Sequence, residues 1–239
     1  MEEYTDRPGL LQRWVRRWSG LGGDRRPPEA HRAFEDLFAG HADQGLFLSV
    51  GGGPLRVHPR LINLNLGPYL NVDVVGTAYR LPLADASIDG VYCEAVLEHL
   101  EFPARAVKEM HRVLQPGGRV FAATPFLQGY HGYPSHFQNF TLEGHVRLFE
   151  RAGFEVERSG TCAGPSFALA DLASLYLRHY LPGRWLSRSV SLLVRIGSVP
   201  FRALDHWLSR RSDGHLLASS TWLLAQKTGT DLGTSRNGV

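Results

Sequence analysis

The sequence predicts an α/β fold, a mostly parallel sheet with helices on both faces, and three stretches predict it. Leu81 to Gly118, LPLADASIDGVYCEAVLEHLEFPARAVKEMHRVLQPGG, reads as turn, buried strand, exposed loop, helix and Gly-Gly turn, and Arg119 to Thr124 resumes as a strand. That order is a β-α-β unit. Leu46 to Val50 is a buried strand that runs into Gly51-Gly52-Gly53-Pro54, and Leu216 to Gln226 closes the domain as a last strand.

Each element has a local reason. Ile88 to Val91 is an apolar run after the turn-forming Ala84-Asp85-Ala86-Ser87. Pro103 suits a first helical turn, Val107, Met110 and Leu114 follow at helical spacing, and Pro116-Gly117-Gly118 stops the helix. Leu61 to Asn65 and Val72 to Val75 read as short strands. Val50 and Leu61 are close, with Pro54 and Pro59 between them, so no full helix fits that crossover. Thr141 is an N-cap candidate for a helix through Ala152, Gly153 ends it, and Phe154 to Arg158 is a strand. A short helix spans about Glu29 to Ala39.

The pattern divides the chain into an N-terminal helical extension and linker (1–40), a domain (41–227) with a helical insert at 165–210, and a tail (228–239) of disordered composition. Residues 10–21 place Leu10, Leu11, Trp14, Val15 and Trp18 on one face beside Arg13, Arg16 and Arg17. This helix reads as a cap on the domain, and its make-up also suits peripheral contact with an anionic membrane. The insert has basic, apolar helices of the same kind. Packing over a pocket is its preferred reading, with Leu192, Leu193 and Ile196 turned inward.

Composition narrows the classes. With 239 residues and 43% hydrophobic content, one core with additions is expected. No apolar run approaches the roughly 18 residues of a membrane span, and the acidic start MEEYTDRPG has no leader pattern, so the expected location is cytoplasmic. Cys93 and Cys162 lack metal or disulfide spacing and read as buried thiols. The basic residues are scattered arginines without a compact stripe, so nucleic acid is not an expected partner. Oligomeric state is not legible. A dinucleotide fingerprint fails because its third glycine would fall at Arg56, which weakens a nucleotide-binding oxidoreductase.

Gly51 to Gly53, Leu81-Pro82, Ser87-Ile88-Asp89, Val96 to His99 and Arg112 to Gly118, in this order and spacing, resemble the class I S-adenosylmethionine-dependent methyltransferases of the small-molecule type. The likeness covers about residues 45 to 160 and the last strand. It implies a Rossmann-like seven-stranded sheet whose last strand inserts antiparallel, with S-adenosylmethionine across the carboxyl ends of the strands. Gly51, Gly52 and Gly53 would pass under the methionine part, and Asn65 would face the ribose. Thr77, Ala78 and Tyr79 would border the adenine, with Glu94 and Ala95 on the far side. The family's usual acids are replaced at Ser49, Asn65 and Thr77. Glu94 or Glu98 can answer the cofactor's amine instead. The losses keep open a methyltransferase-like binding or regulatory protein without catalysis.

The expected reaction is methyl transfer to a small-molecule, sugar or lipid-linked acceptor, with O-methylation favoured. His131 and His136, in an aromatic loop with Phe126, Tyr130, Tyr133, Phe137 and Phe140, are the candidate bases, since a hydroxyl acceptor must lose a proton. His99 reads as a hydrogen-bonded helix-flanking residue. No carboxylate lies at ligand spacing from His131 and His136 in the sequence, so no metal is expected.

Overall fold

The structure, a computed structural model, describes residues 26–41, 44–54, 56–132 and 135–229. The expected helix at 10–21, the linker over 22–25, Tyr133 and the tail from 230 lie outside the described residues. Seven strands form one sheet: β1 (Phe47–Val50), β2 (Leu61–Asn65), β3 (Val74–Val75), β4 (Ile88–Glu94), β5 (Leu114–Pro125), β6 (Phe154–Ala163) and β7 (Ser220–Lys227). Their spatial order is β3-β2-β1-β4-β5-β7-β6. The pairs among β1 to β5 are parallel, whereas β7 runs antiparallel to both β5 and β6.

Two apolar layers hold helices to the sheet. On one face α1 (Pro28–Asp36) buries Ala30, Ala33 and Phe34. Its Phe34 ring meets Phe121, whose ring stacks between Tyr92 and Trp222 at 5.9 and 6.0 Å. These rings lie on alternate strand positions, so one pleat face carries them all. Truncating Phe121 to alanine in such a layer costs about 3–5 kcal/mol. On the other face α2 (Pro103–Val113) buries Ala106, Val107, Met110 and Val113. α3 (Leu142–Glu150) adds Phe149 to the same cluster. Thr141 caps α3 as expected, its Oγ1 accepting from Gly144 N at 3.1 Å.

The Arg112 guanidinium explains why the LP turn and the RVLQPGG segment occur together. It donates to Leu81 O at 3.0 Å and Leu83 O at 2.9 Å, and it pairs with Glu109 and Asp85. The turn before β4 is thereby tied to the end of α2. Pairing of Leu114 with Ile88 starts β5 earlier than expected, and residues 115–118 bulge out before Arg119 rejoins opposite Gly90.

Two expectations are corrected. Leu216 and Leu217 belong to a short 3-10 helix over Gly214–Leu217, both 62% exposed, so the last strand begins only at Ser220. The insert forms α4 (Pro165–Tyr180), α5 (Arg184–Gly197) and α6 (Val199–Leu208), which pack mainly on one another. Leu192, Leu193 and Ile196 point outward at 47, 66 and 52% exposure. Small residues take the inner positions instead: Ser191 donates to Ser174 O at 3.1 Å, and Asp205 accepts from Ser166 N and Phe167 N at the start of α4. Close helix approach through serines leaves the large side chains no room inside. No described helix is long and apolar enough to cross a membrane.

Candidate functional site

The sheet reverses its winding between β1 and β4, and their carboxyl ends open a crevice there. Gly51 begins the turn after β1 with φ of 72°, and a Cβ on it would run into Val96 Cγ2. Asn63, buried in β2, holds the turn by donating to Gly53 O and Asn71 O, each at 2.9 Å. A Cβ on Gly52 would meet Asn63 Oδ1 and lie 2.6 Å from Ser49 Oγ. Ser49 is therefore packed beneath the turn, and among the described residues its Oγ has no hydrogen-bond partner.

A cavity of about 370 Å³ fills the crevice. Of the residues expected from the sequence, Gly51, Asn65, Thr77, Ala78, Tyr79 and Ala95 line it; Ser49, Gly52, Gly53 and Glu94 do not. Ala95 turns the chain into the cavity wall with φ of 54°, a left-handed conformation that costs an alanine about 1–2 kcal/mol. Glu94 faces the aromatic side of the sheet, where its carboxylate accepts from the Tyr92 hydroxyl and from Arg26 at 3.0 Å. Asn65 Oδ1 accepts from Leu66 N at 2.7 Å, which leaves its amide N–H groups as possible donors to the cavity. Leu64, Leu66, Ala78 and Val96 supply apolar wall, so a flat base with a hydroxylated sugar fits the lining.

A second cavity, about 100 Å³, lies next to the first and is bordered by Glu94, Glu98, Thr124, Gln128 and His131. Glu98, in a 3-10 helix over Leu97–His99, is completely buried, and among the described residues neither carboxylate oxygen has a hydrogen-bond partner. Burial pushes its carboxyl up to about 7, with His136 pulling the other way. His99 and His131 stand beside it, their Nε2 atoms 3.7 and 3.8 Å from Glu98 Oε1. Burial lowers the His99 pKa, so that ring stays neutral near pH 7.

The two candidate bases are not equivalent. His136 accepts from His131 N at Nδ1 and faces Asn139 Oδ1 with Nε2 at 2.6 Å. Asn139 uses its amide N–H on Gln128 O, so its oxygen is the acceptor and His136 Nε2 carries the proton. His131 bonds Gly129 O through Nδ1 and keeps Nε2 open toward Glu98. Phe137 lines the large cavity, while Tyr130 is 74% exposed and stacks on His136.

Comparison with known proteins meets this geometry. A family model described as a methyltransferase domain matches residues 60–122. A probable S-adenosylmethionine-dependent methyltransferase of Mycolicibacterium smegmatis is 40% identical over 119 residues, which cover 46% of this chain and 44% of that protein. The chain therefore carries a methyltransferase-domain match over residues 60–122 and resembles S-adenosylmethionine-dependent methyltransferases. A ubiquinone/menaquinone biosynthesis C-methyltransferase of Rubrivivax gelatinosus is 31% identical over 116 residues, 46% of this chain and 45% of that protein. The chain thus spans under half the length of the curated relatives it matches. A solved S-adenosylmethionine-dependent methyltransferase of Mesorhizobium loti has TM-score 0.52 and 15% identity, covering 87% of this chain and 100% of its own. The [4+2]-cyclase SpnF has TM-score 0.50 and 18% identity, covering 91% of this chain and 82% of its own. At such identity these structures speak for the fold alone, and a cyclase among them shows that the fold does not set the reaction.

Sequence reasoning missed His99, Leu100, Glu101 and Ser135 as lining of the large cavity. Glu101 is the notable omission, because it brings an acid to a pocket whose usual acids are replaced. Glu98, read with Glu94 as a partner for the cofactor amine, borders the smaller cavity beside His131. No carboxylate stands at ligand spacing from His131 and His136 along the sequence, whereas the fold brings Glu98 close to His99 and His131 in space.

Proposed function

We propose that the domain transfers the methyl group of S-adenosylmethionine to a hydroxyl of a small-molecule, sugar or lipid-linked acceptor. The observation that supports this reading is the pair of adjoining cavities, one of cofactor type at the switch point and one bordered by His131 and Glu98. The cofactor supplies an electrophilic methyl on a sulfonium. Asn65, Thr77 and Tyr79 would hold its nucleoside, with Gly51 allowing close backbone approach. In the acceptor cavity, His131 Nε2 is positioned to take the hydroxyl proton as the oxygen attacks. His136 would orient the loop rather than move the proton.

Calorimetric titration with S-adenosylhomocysteine, followed by labelled-methyl transfer into polar and lipid extracts, tests this. Absence of heat at about millimolar ligand sinks the cofactor assignment. Heat without label transfer favours the second reading, a methyltransferase-like binding protein, which the neutral residues at Ser49, Asn65 and Thr77 support.

The exposed face of the insert supports a lipid-linked acceptor. Trp185, Leu193, Ile196 and Trp207 are exposed, with Arg184, Arg188 and Arg195 on the same helical unit. Co-sedimentation with anionic vesicles is expected and should weaken in neutral ones; equal pelleting without vesicles points to self-association instead.

A further inference from the structure

His99, His131 and Glu98 converge at the wall between the two cavities, and the bonds around them decide what they can hold. His99 Nδ1 lies 2.6 Å from Ser135 O, and His131 Nδ1 lies 2.9 Å from Gly129 O. A carbonyl only accepts, so each Nδ1 carries the ring proton and each Nε2 presents a lone pair. Both lone pairs face Glu98 Oε1, and one ligand atom from each of the three residues falls within 4.8 Å of the others. Glu98 is 0% exposed, and among the described residues no hydrogen-bond donor meets either of its oxygens. Three electron-pair donors therefore gather at one place.

A shared proton does not account for this. Hydrogen bonds of this type need about 2.7–3.2 Å, and the separations here are 3.7 and 3.8 Å. An ion between them fits better. Bonds of about 2.0–2.1 Å in tetrahedral geometry set ligand atoms about 3.4 Å apart, so each histidine needs to approach Glu98 Oε1 by a few tenths of an ångström. We propose that Glu98, His99 and His131 form a binding site for one divalent transition-metal ion, zinc or a first-row neighbour.

Two imidazoles and a carboxylate suit such ions better than magnesium or calcium, which prefer oxygen throughout. The Nδ1–H bonds to Ser135 O and Gly129 O are the outer contacts that orient ligating histidines. Three protein ligands leave a coordination position, and Glu98 and His131 border the smaller cavity, so an acceptor oxygen can reach it. His131 would then hold the ion, and the ion would lower the pKa of the acceptor hydroxyl. That consequence rests on the methyl-transfer reading; the site itself does not.

The test needs no acceptor. The full chain, stripped with chelator and dialysed, is titrated with Co²⁺ and Zn²⁺ by visible absorption and calorimetry. One ion per chain and a ligand-field spectrum are expected. His131→Asn, in a half-exposed loop, and Glu98→Gln should each weaken binding at least about tenfold. His179→Asn, on exposed α4, should bind as the parent does. No stoichiometric binding, or equal affinity in folded His131→Asn, overturns the site. Methyl transfer that survives in metal-free protein would leave the function standing while removing the ion from it.

Discussion

His131 Nε2 lies 3.8 Å from Glu98 Oε1 although a helix and a whole strand separate them in sequence. His136, whose ring centroid is 4.3 Å from that of His131, commits both ring nitrogens to neighbours. His131→Ala should therefore cut methyl transfer by about 10²- to 10⁴-fold with S-adenosylhomocysteine affinity unchanged. His136→Ala should cost far less, through loop position alone. Single-turnover rates and calorimetry on both variants check this, and equal losses would return His136 to a direct role.

Gly51 combines a left-handed backbone with a side-chain position already taken by Val96. Gly51→Ala should lower stability by about 1–3 kcal/mol and weaken cofactor binding, because relief of the clash moves the cavity wall. Thermal unfolding and titration of the same sample measure both. Gly53→Ala shares the positive φ but meets nothing within 4 Å, so its effect on binding should be smaller.

Asn65 lines the larger cavity, where the proposed cofactor would place its ribose. Asn65→Asp should tighten S-adenosylhomocysteine about fivefold, the difference between a neutral and a charge-assisted hydrogen bond of about 1 kcal/mol. Affinity unchanged or weakened would place the ribose elsewhere.

His145 is fully buried on α3, with Nδ1 3.2 Å from Thr221 Oγ1 and no partner at Nε2. Burial pushes its pKa down to about 3. The unfolded chain binds this proton near pH 6.5 and the folded chain does not, so the folded state loses stability as pH falls below about 6.5. The slope from this one group approaches about 1.4 kcal/mol per pH unit down to the folded value. Denaturant unfolding of His145→Phe across pH 4 to 7 should show a shallower acid slope than the parent, and the difference should vanish above about pH 7.

Much of the sheet was legible because its determinants are local. Ile88 to Val91, Val107 with Met110, Thr141 and Gly153 each announce an element through periodicity or a cap, and all stand in the expected element. Leu216 and Leu217 misled because an apolar pair reads the same in a strand and in a short turn, and pairing with β5 decides between them. The insert misled for a related reason. Helical spacing marks an apolar face, but Ser174 and Ser191 set which face meets a neighbour.

The order of strands and helices, the glycine turn at Gly51 and the family likeness were already fixed along the chain, because they rest on backbone preferences and on spacing. It took the fold to turn Glu94 toward Arg26, to commit His136, and to bring Glu98, without a hydrogen-bond partner among the described residues, beside His99 and His131. Side-chain convergence across a crossover depends on register and on the bend of a loop, and no local pattern encodes either.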